Sequence, residues 1–229
     1  MRLQTVITGF SLFVMLHLSA QKEFTSLDDA LKAPEAVKIL NLSGKGLTAV
    51  PASVTKFVNL EKLNLSNNKI AAFPKELSAL KKLKTLNLTA NAFTSFPIAV
   101  TSITSLEDFE ISFNNITAIP KELTALAKLK RVSASKCGLK NLPAELGKMQ
   151  TVEIIDLSYN DFTSIPTQLT GMKNLKTLDL SFNKNLSAFP SEIKDLAQLR
   201  FLNLKSAKIT AAQVNDELSW LIPNCQIMQ

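Results

Sequence analysis

Histidine is nearly absent from this sequence. His17 is the single one among 229 residues, and cysteine occurs only as Cys137 and Cys225. The sequence also has no Gly-x-Ser-x-Gly motif, no phosphate-binding glycine loop and no Cys/His cluster. Histidine is the commonest general base and metal ligand, and these motifs organise a nucleophile, a nucleotide or a metal. We therefore predict that the protein is not an enzyme and uses no cofactor or metal.

The first twenty residues have the three parts of a cleaved signal peptide. Arg2 precedes the apolar run VITGFSLFVMLHL, and the small residue Ala20 precedes Gln21. The run is too short to span a bilayer comfortably, so a retained amphipathic or membrane-anchor segment is the less favoured interpretation. We expect export to the medium, the periplasm or the cell surface. The mature chain would begin near Gln21, lack His17 and have no stable membrane insertion.

The rest of the chain repeats with a period of 23 residues. The phrase LKTLDLSFN, Leu175 to Asn183, nearly repeats LKTLNLTAN, Leu83 to Asn91, 92 positions earlier. Eight rows follow, and the seventh is one residue longer; they start at Val37, Leu60, Leu83, Leu106, Leu129, Val152, Leu175 and Leu199. Apolar residues recur at row positions 1, 4, 6, 11, 14, 18 and 21, and proline follows position 14 in seven rows.

Each row predicts a strand, a turn and a short helical segment. Alternation around positions 4 and 6 indicates a half-buried strand, with Leu63 and Leu65 inward and Lys62, Asn64 and Ser66 outward. Asparagine at position 9 of five rows marks the turn, where its amide can donate to and accept from the backbone. The proline fixes φ where a helical turn begins.

The period and the pattern L-x-x-L-x-L-x-x-N-x-L resemble leucine-rich repeats over Val37 to about Leu204, closest to the short bacterial type ending L-P-x-x-L-x-x-L. The predicted fold class is α/β. It is a curved solenoid with a parallel sheet on the concave face, short helical or 3-10 segments on the convex face, and a cap at each end. We divide the chain into a signal peptide (1–20), an N-terminal capping helix (21–36), the repeats (37–204) and a C-terminal cap (205–229).

Local signals support both caps. Thr25 or Ser26 is suited to cap a helix that ends near Pro34. Thr210 and Gln213 form a capping box before a second amphipathic helix, and the closing PNCQI alternates as a last strand would. Similar endings occur in exported bacterial proteins of the family that the repeats resemble.

Row five departs most from the others. Ala134 replaces the usual Leu or Ile at position 6, which predicts a loosened core costing about 2 kcal/mol if the gap is not refilled. Cys137 replaces Asn at position 9, a substitution that the family accepts. Cys225 lies three to four rows away, beyond the roughly 7 Å reach of a disulfide at about 4.8 Å per row. We expect both thiols to be free.

The net charge of +7 raises the question of nucleic-acid binding. The lysines, however, fall at row starts or after the prolines, which places them on the edges and the convex side. No aromatic stacking platforms accompany them. We therefore predict no nucleic-acid partner.

Rows four to seven carry the candidate binding surface on the outward columns of the strands. Aromatic rings there stand beside charges of both signs, the composition of a protein-binding hot spot. The nine candidate residues are Asp108, Glu110, Phe113, Arg131, Lys136, Asp156, Tyr159, Asp179 and Phe182. They predict recognition of a protein ligand. Asp156 and Asp179 also match the usual sequence of the family, whereas Asp108 and Glu110 depart from it. An alternative interpretation of the three rings is that they only cover the asparagine turn.

Two other functions compete with protein binding. The amide row Asn41, Asn64 and Asn87 predicts a cell-envelope glycan-binding or adhesion module as the first alternative. Paired carboxylates would suit a hydrolase, the second. An open, hydrated sheet lacks the burial that separates the pKa values of a catalytic pair, so the hydrolase is the least favoured.

Overall fold

The computed structural model describes residues 22–229, so the predicted signal peptide lies outside the described residues. A single sheet of ten parallel strands runs through this region in chain order. Its strands are β1 Glu23–Phe24, β2 Ile39–Asn41, β3 Lys62–Asn64, β4 Thr85–Asn87, β5 Asp108–Glu110, β6 Arg131–Ser133, β7 Ile154–Asp156, β8 Thr177–Asp179, β9 Phe201–Asn203 and β10 Gln226–Met228. The predicted leucine-rich repeat solenoid is confirmed.

The strand register reproduces the repeat. Leu40 pairs with Leu63, and Leu63 with Leu86, so each row lies directly beside the next. The inward leucines are fully enclosed, with Leu63 1% and Leu65 0% exposed. One apolar column therefore runs the length of the protein, and no row has to bury its leucines alone.

The convex side consists of short 3-10 turns. They span Pro34–Ala36, Ala52–Lys56, Lys75–Ala79, Ile98–Ser102, Lys121–Ala125, Ala144–Lys148, Thr167–Gly171 and Ser191–Asp195. Each five-residue turn follows a row proline; Pro51 has φ −60°, and its carbonyl oxygen accepts from the Val54 amide at 3.0 Å. The proline thus fixes the entry to the turn, as the sequence predicts.

Helices cover both ends. α1 (Leu27–Leu31) begins after Ser26, whose hydroxyl accepts from the Asp29 amide at 3.3 Å. β1 precedes it and was not expected; its Phe24 is buried against the first row. At the other end α2 (Ala211–Gln213), a π turn (Val214–Leu218) and α3 (Ser219–Leu221) follow the predicted capping box, and β10 closes the sheet. Among residues 22–229 no helix is long and apolar enough to cross a membrane.

The position-9 asparagines form a buried ladder. Asn114 Nδ2 donates to the carbonyl oxygens of Leu88 at 3.0 Å and Ile111 at 2.8 Å, and its Oδ1 accepts from the Phe93 amide at 3.2 Å. Equivalent bonds are made by Asn68, Asn91, Asn160 and Asn183. Each side chain thereby ties its own turn to the previous row, where the backbone would otherwise be unsatisfied.

The outward orientation expected for Ser66 was wrong. Ser66 is 6% exposed, and position-7 serines in four later rows, Ser112, Ser135, Ser158 and Ser181, are buried as well. The strands end at position 5, and the backbone turns before the alternation can continue. The Ser66 amide accordingly donates to Asn64 Oδ1 at 2.9 Å instead of to another strand.

Charges alternate along the strand-entry edge of the sheet. Position 2 reads Lys38, Glu61, Lys84, Glu107, Lys130, Glu153, Lys176 and Arg200. Glu61 lies 3.6 Å from Lys38 and 3.0 Å from Lys84, and the Glu107 and Glu153 pairs with the following lysines measure 2.7 and 2.8 Å. The lysine hydrogen bonds lower the pKa of all three glutamates. Identical residues would instead stack like charges about 4.8 Å apart.

Row five leaves a small void in the core. An apolar cavity of about 20 Å³ is lined by Ala134, Met149 and Met172, among others. On the convex side a Cβ added at Gly171 would lie 2.7 Å from the Gly147 carbonyl oxygen, so these two 3-10 turns approach as closely as glycine permits. Met149 and Met172 thus line the void beside Ala134, and the two glycines allow the 3-10 turns of rows five and six to approach closely.

Candidate functional site

The residue at position 8 leaves the strand in a left-handed conformation in every row. The φ angles are between 52° and 65°, for Gly44, Asn67, Ala90, Phe113, Lys136, Tyr159, Phe182 and Ser206. Glycine and asparagine accept this conformation readily, whereas for a bulky side chain it is rare and costs about 1 kcal/mol or more. Three of the predicted site residues are thus aromatic side chains at positions that disfavour them.

These side chains form one ridge, which we define as Phe113, Lys136, Tyr159 and Phe182. Phe113 is 49% and Tyr159 48% exposed. The Tyr159 and Phe182 rings stack with centroids 4.2 Å apart and planes 10° apart, and Lys136 Nζ lies 5.1 Å from the Phe113 ring centroid. Lys136 therefore contacts an aromatic neighbour within cation–π range instead of interrupting the ridge.

Two of the predicted acids, both at position 5, accept hydrogen bonds that stabilise the turn after their strand. Asp156 Oδ1 accepts from the Ser158 amide at 3.0 Å, and Asp179 Oδ1 from the Ser181 amide at 2.8 Å. Asn41, Asn64 and Asn87 make the same local bond to position 7. The amide oxygens of the proposed glycan row are consequently engaged within their own turns.

Asp108 and Glu110 lie half-buried on β5 and do not close such a turn. Burial, followed by the charge of Asp108, raises the pKa of Glu110, although Asn87 donates to its carboxylate. Burial also raises the pKa of Asp108, whose Oδ2 lies 3.8 Å from Arg131 Nε. Within residues 22–229, Asp108 Oδ1 is the buried side-chain oxygen or nitrogen that has no hydrogen-bond partner. The two acids that depart from the family pattern are therefore the ones whose charged form is disfavoured by burial.

A depression of about 340 Å³, which we call the notch, lies beside the ridge. Glu110, Ser133 and Asp156 are neighbours across β5, β6 and β7, so the short serine stands between two carboxylates. Phe113 and Arg131 border it. Four of the nine predicted residues line the notch: Glu110, Phe113, Arg131 and Asp156. Asp108 pairs with Arg131 and Lys136 contacts Phe113, while Tyr159, Phe182 and Asp179 lie further along the sheet.

Sequence reasoning missed a chain of hydroxyls beneath this surface. Ser133 Oγ lies 2.8 Å from Ser112 Oγ and donates to Asp156 Oδ2 at 3.0 Å, and Ser158 Oγ donates to Asp156 Oδ1 at 2.7 Å. Ser135 Oγ lies 2.8 Å from Ser158 Oγ. The run of serines at position 7 was the signal. These bonds hold the Asp156 carboxylate in place.

The site contains neither a cluster of metal ligands nor an activated thiol among the described residues. In the described part of the chain no three His, Cys, Asp or Glu side chains converge as a metal site would require. Cys137 and Cys225 are both free, as expected, and burial raises the pKa of each thiol to about 11. Such thiols are protonated and poorly nucleophilic at neutral pH.

A family model described as Leucine rich repeat matches residues 35–93, 128–184 and 150–209, which together make up more than half of the chain. A search of curated proteins finds no significant match.

Solved structures share the fold at low sequence identity. Internalin C2 from Listeria monocytogenes is 20% identical with a TM-score of 0.69, over 85% of this chain and 82% of its own. Internalin InlF from the same organism is 22% identical with a TM-score of 0.62, over 86% of this chain and 63% of its own. TLR13, solved in complex with ssRNA13, is 24% identical with a TM-score of 0.73, but the match covers 29% of that chain and 86% of this one.

Proposed function

The chain belongs to the leucine-rich repeat family, and from that premise we propose that it is a non-enzymatic recognition module that binds a protein ligand on the concave sheet face. The single observation that carries the proposal is the ridge. Its aromatic side chains occupy left-handed positions where glycine or asparagine would be less strained, and two of them remain about half exposed. Half-exposed aromatic side chains at sparsely populated backbone conformations are characteristic of binding sites.

The surface around the ridge supports a protein ligand over other partners. Asp108, Glu110, Asp156 and Asp179 bring four carboxylates to the central strands, which disfavours a phosphate backbone. By strand spacing, Phe113 to Phe182 spans about 14 Å, comparable to a short extended peptide. Aromatic side chains and arginine are also the groups most enriched at the centres of protein interfaces.

The test is affinity capture with three versions of the purified protein. A variant with Phe113→Ser, Tyr159→Ser and Phe182→Ser removes the ridge rings, and Trp220→Ser removes an aromatic side chain that is 78% exposed in the C-terminal cap. We expect wild type and Trp220→Ser to retain the same protein and the triple variant to lose it, with circular dichroism confirming that all three are folded. Equal retention by the triple variant would count against the proposal, and retention of glycan alone would favour the alternative ligand.

Export is the second part of the proposal. It is supported by the charged start, apolar run and small residue in the first twenty residues. Mass spectrometry of the protein from culture medium and envelope fractions should find an N-terminus at or near Gln21. An intact Met1 in protein confined to the cytosol would contradict it.

A further inference from the structure

The centre of the concave face has more negative than positive side chains, whereas the whole protein is positively charged. The chain has a net charge of +7, yet the outward columns of β5 to β8 and their exits carry four carboxylates against Arg131 and Lys136. Lys136 lies over the Phe113 ring, and Arg131 is directed at Asp108. The basic surplus therefore lies elsewhere, and the centre of the sheet is locally acidic.

Three of these carboxylates, those of Glu110, Asp156 and Asp179, have no cation of their own among residues 22–229, and the first two of them lie at the notch. Within residues 22–229 neither Glu110 nor Asp156 has a lysine or arginine nitrogen within 4.0 Å. Their hydrogen-bond donors are neutral: Asn87 for Glu110, and Ser133 and Ser158 for Asp156. Half-buried carboxylates gain from a neighbouring positive charge, so this part of the sheet is complementary to a cation.

The notch has the shape to admit one cationic side chain. Glu110 and Asp156 stand on alternate strands, about 10 Å apart along the sheet by strand spacing, with the short Ser133 between them. Ser112 and Ser133 line the notch with hydroxyls. The half-exposed Phe113 ring borders it, as does Arg131, whose guanidinium pairs with Asp108. Carboxylates on two sides and an aromatic ring at the rim match a planar guanidinium, which donates in two directions and stacks on rings.

We propose that the notch receives an arginine side chain from an extended, basic segment of the protein that binds the ridge. The inference rests on the proposed function and specifies the chemistry of the ligand. The ridge supplies apolar contact, and the notch selects the charge. An acidic segment would meet Glu110 and Asp156 and be rejected, so the same two side chains supply affinity and specificity.

The probe is N-acetyl-arginine methylamide, with N-acetyl-citrulline methylamide as its neutral isostere. Both are titrated into the isotopically labelled protein while backbone amide signals are followed by NMR. We expect saturable shifts at Phe113, Ser133 and Asp156 with the arginine compound, and an apparent Kd at least fivefold higher for citrulline. A Glu110→Gln, Asp156→Asn variant should lose this difference, because each amide keeps one acceptor oxygen, for Asn87 and for Ser158 respectively, but not the charge.

Asp179→Asn is the matched control, because Asp179 is the same type of residue at the same row position but lies outside the notch. It should bind the arginine compound like wild type. Equal affinities for arginine and citrulline, shifts confined to other surfaces, or no saturable shifts would each overturn the arginine proposal. If the ridge variant nevertheless loses its captured protein, protein recognition stands and only the ligand chemistry is wrong. If capture is also independent of the ridge, both proposals fail.

Discussion

Replacing Cys137 with asparagine is expected to stabilise the protein, because it completes the buried ladder in the row where the ladder is broken. The Cys137 thiol lies 3.5 Å from the carbonyl oxygens of Ile111 and Ser135. The Ile116 amide occupies the row position whose counterparts in the neighbouring rows donate to an asparagine oxygen, the Phe93 amide to Asn114 and the Leu139 amide to Asn160. A thiol is a weak donor and a weak acceptor, so these backbone groups are poorly satisfied.

The size of the gain follows from the bonds exchanged. An asparagine would offer one conventional donor to the Ile111 carbonyl and one oxygen to the Ile116 amide. A buried hydrogen bond contributes about 1 kcal/mol net, and burying the larger amide opposes part of the gain from two. We expect the free energy of unfolding to rise by about 1 kcal/mol, or about 2–4 °C in Tm for a chain of this length.

Urea unfolding followed by circular dichroism measures the effect. Cys225→Asn makes the same chemical change in the C-terminal cap, outside the ladder, and should give no comparable gain. Asn114→Cys makes the reverse change in row four and should lower stability by about 1–3 kcal/mol, because buried carbonyl and amide groups lose their partners. If Cys137→Asn is neutral or destabilising while Asn114→Cys is also tolerated, the ladder does not stabilise the solenoid as argued.

Three further changes have defined outcomes. Ala134→Val should raise the urea midpoint slightly, because the 20 Å³ void can take added methyl groups; a drop of 1 kcal/mol or more would mean overpacking. Glu110→Gln should stabilise the folded protein at pH 7, because folding raises the pKa of the Glu110 carboxyl and the ionised carboxylate therefore destabilises the folded state. This penalty is lost as the pH falls through the raised pKa, so the gain in stability should vanish near pH 4. A gain that is independent of pH would refute the reasoning. Glu61→Lys places a third positive charge between Lys38 and Lys84 and removes two exposed ion pairs, so it should lower the free energy of unfolding by roughly 1 kcal/mol at low salt. An equal loss of stability at high salt would exclude an electrostatic origin.

The sequence predicts most of the fold because the fold is itself periodic. The spacing of Leu63, Leu65 and Pro74 determines the strand, the core and the 3-10 turn of one row, and the same arrangement occurs in the first seven rows. Two elements at the margins behave differently. β1 has only two residues, and it forms where Phe24 packs against the first row. Ser66 is buried because the backbone turns and ends the strand before position 7. Both depend on tertiary contacts that local alternation does not contain.

The candidate site was only partly predictable. The nine residues could be listed from their columns, but the contacts between columns could not. The stacking of Tyr159 on Phe182 and the placement of Lys136 over Phe113 depend on side-chain rotamers. The left-handed backbone at position 8 did have a sequence signal, since Gly44 and Asn67 occupy that position in the first two rows. That signal would have separated strained aromatic positions from ordinary surface ones.

Site-specific photo-crosslinking tests the central claim, recognition of a protein by the concave face, most directly. Benzoylphenylalanine is placed at Phe182 on the ridge in one version, and at Ile98, 52% exposed on a convex 3-10 turn, in another. After irradiation in the native extract, we predict that the ridge version forms one major protein adduct and that the convex version does not crosslink the same protein. Adducts of the same protein from both positions, or from the convex position alone, would contradict the account.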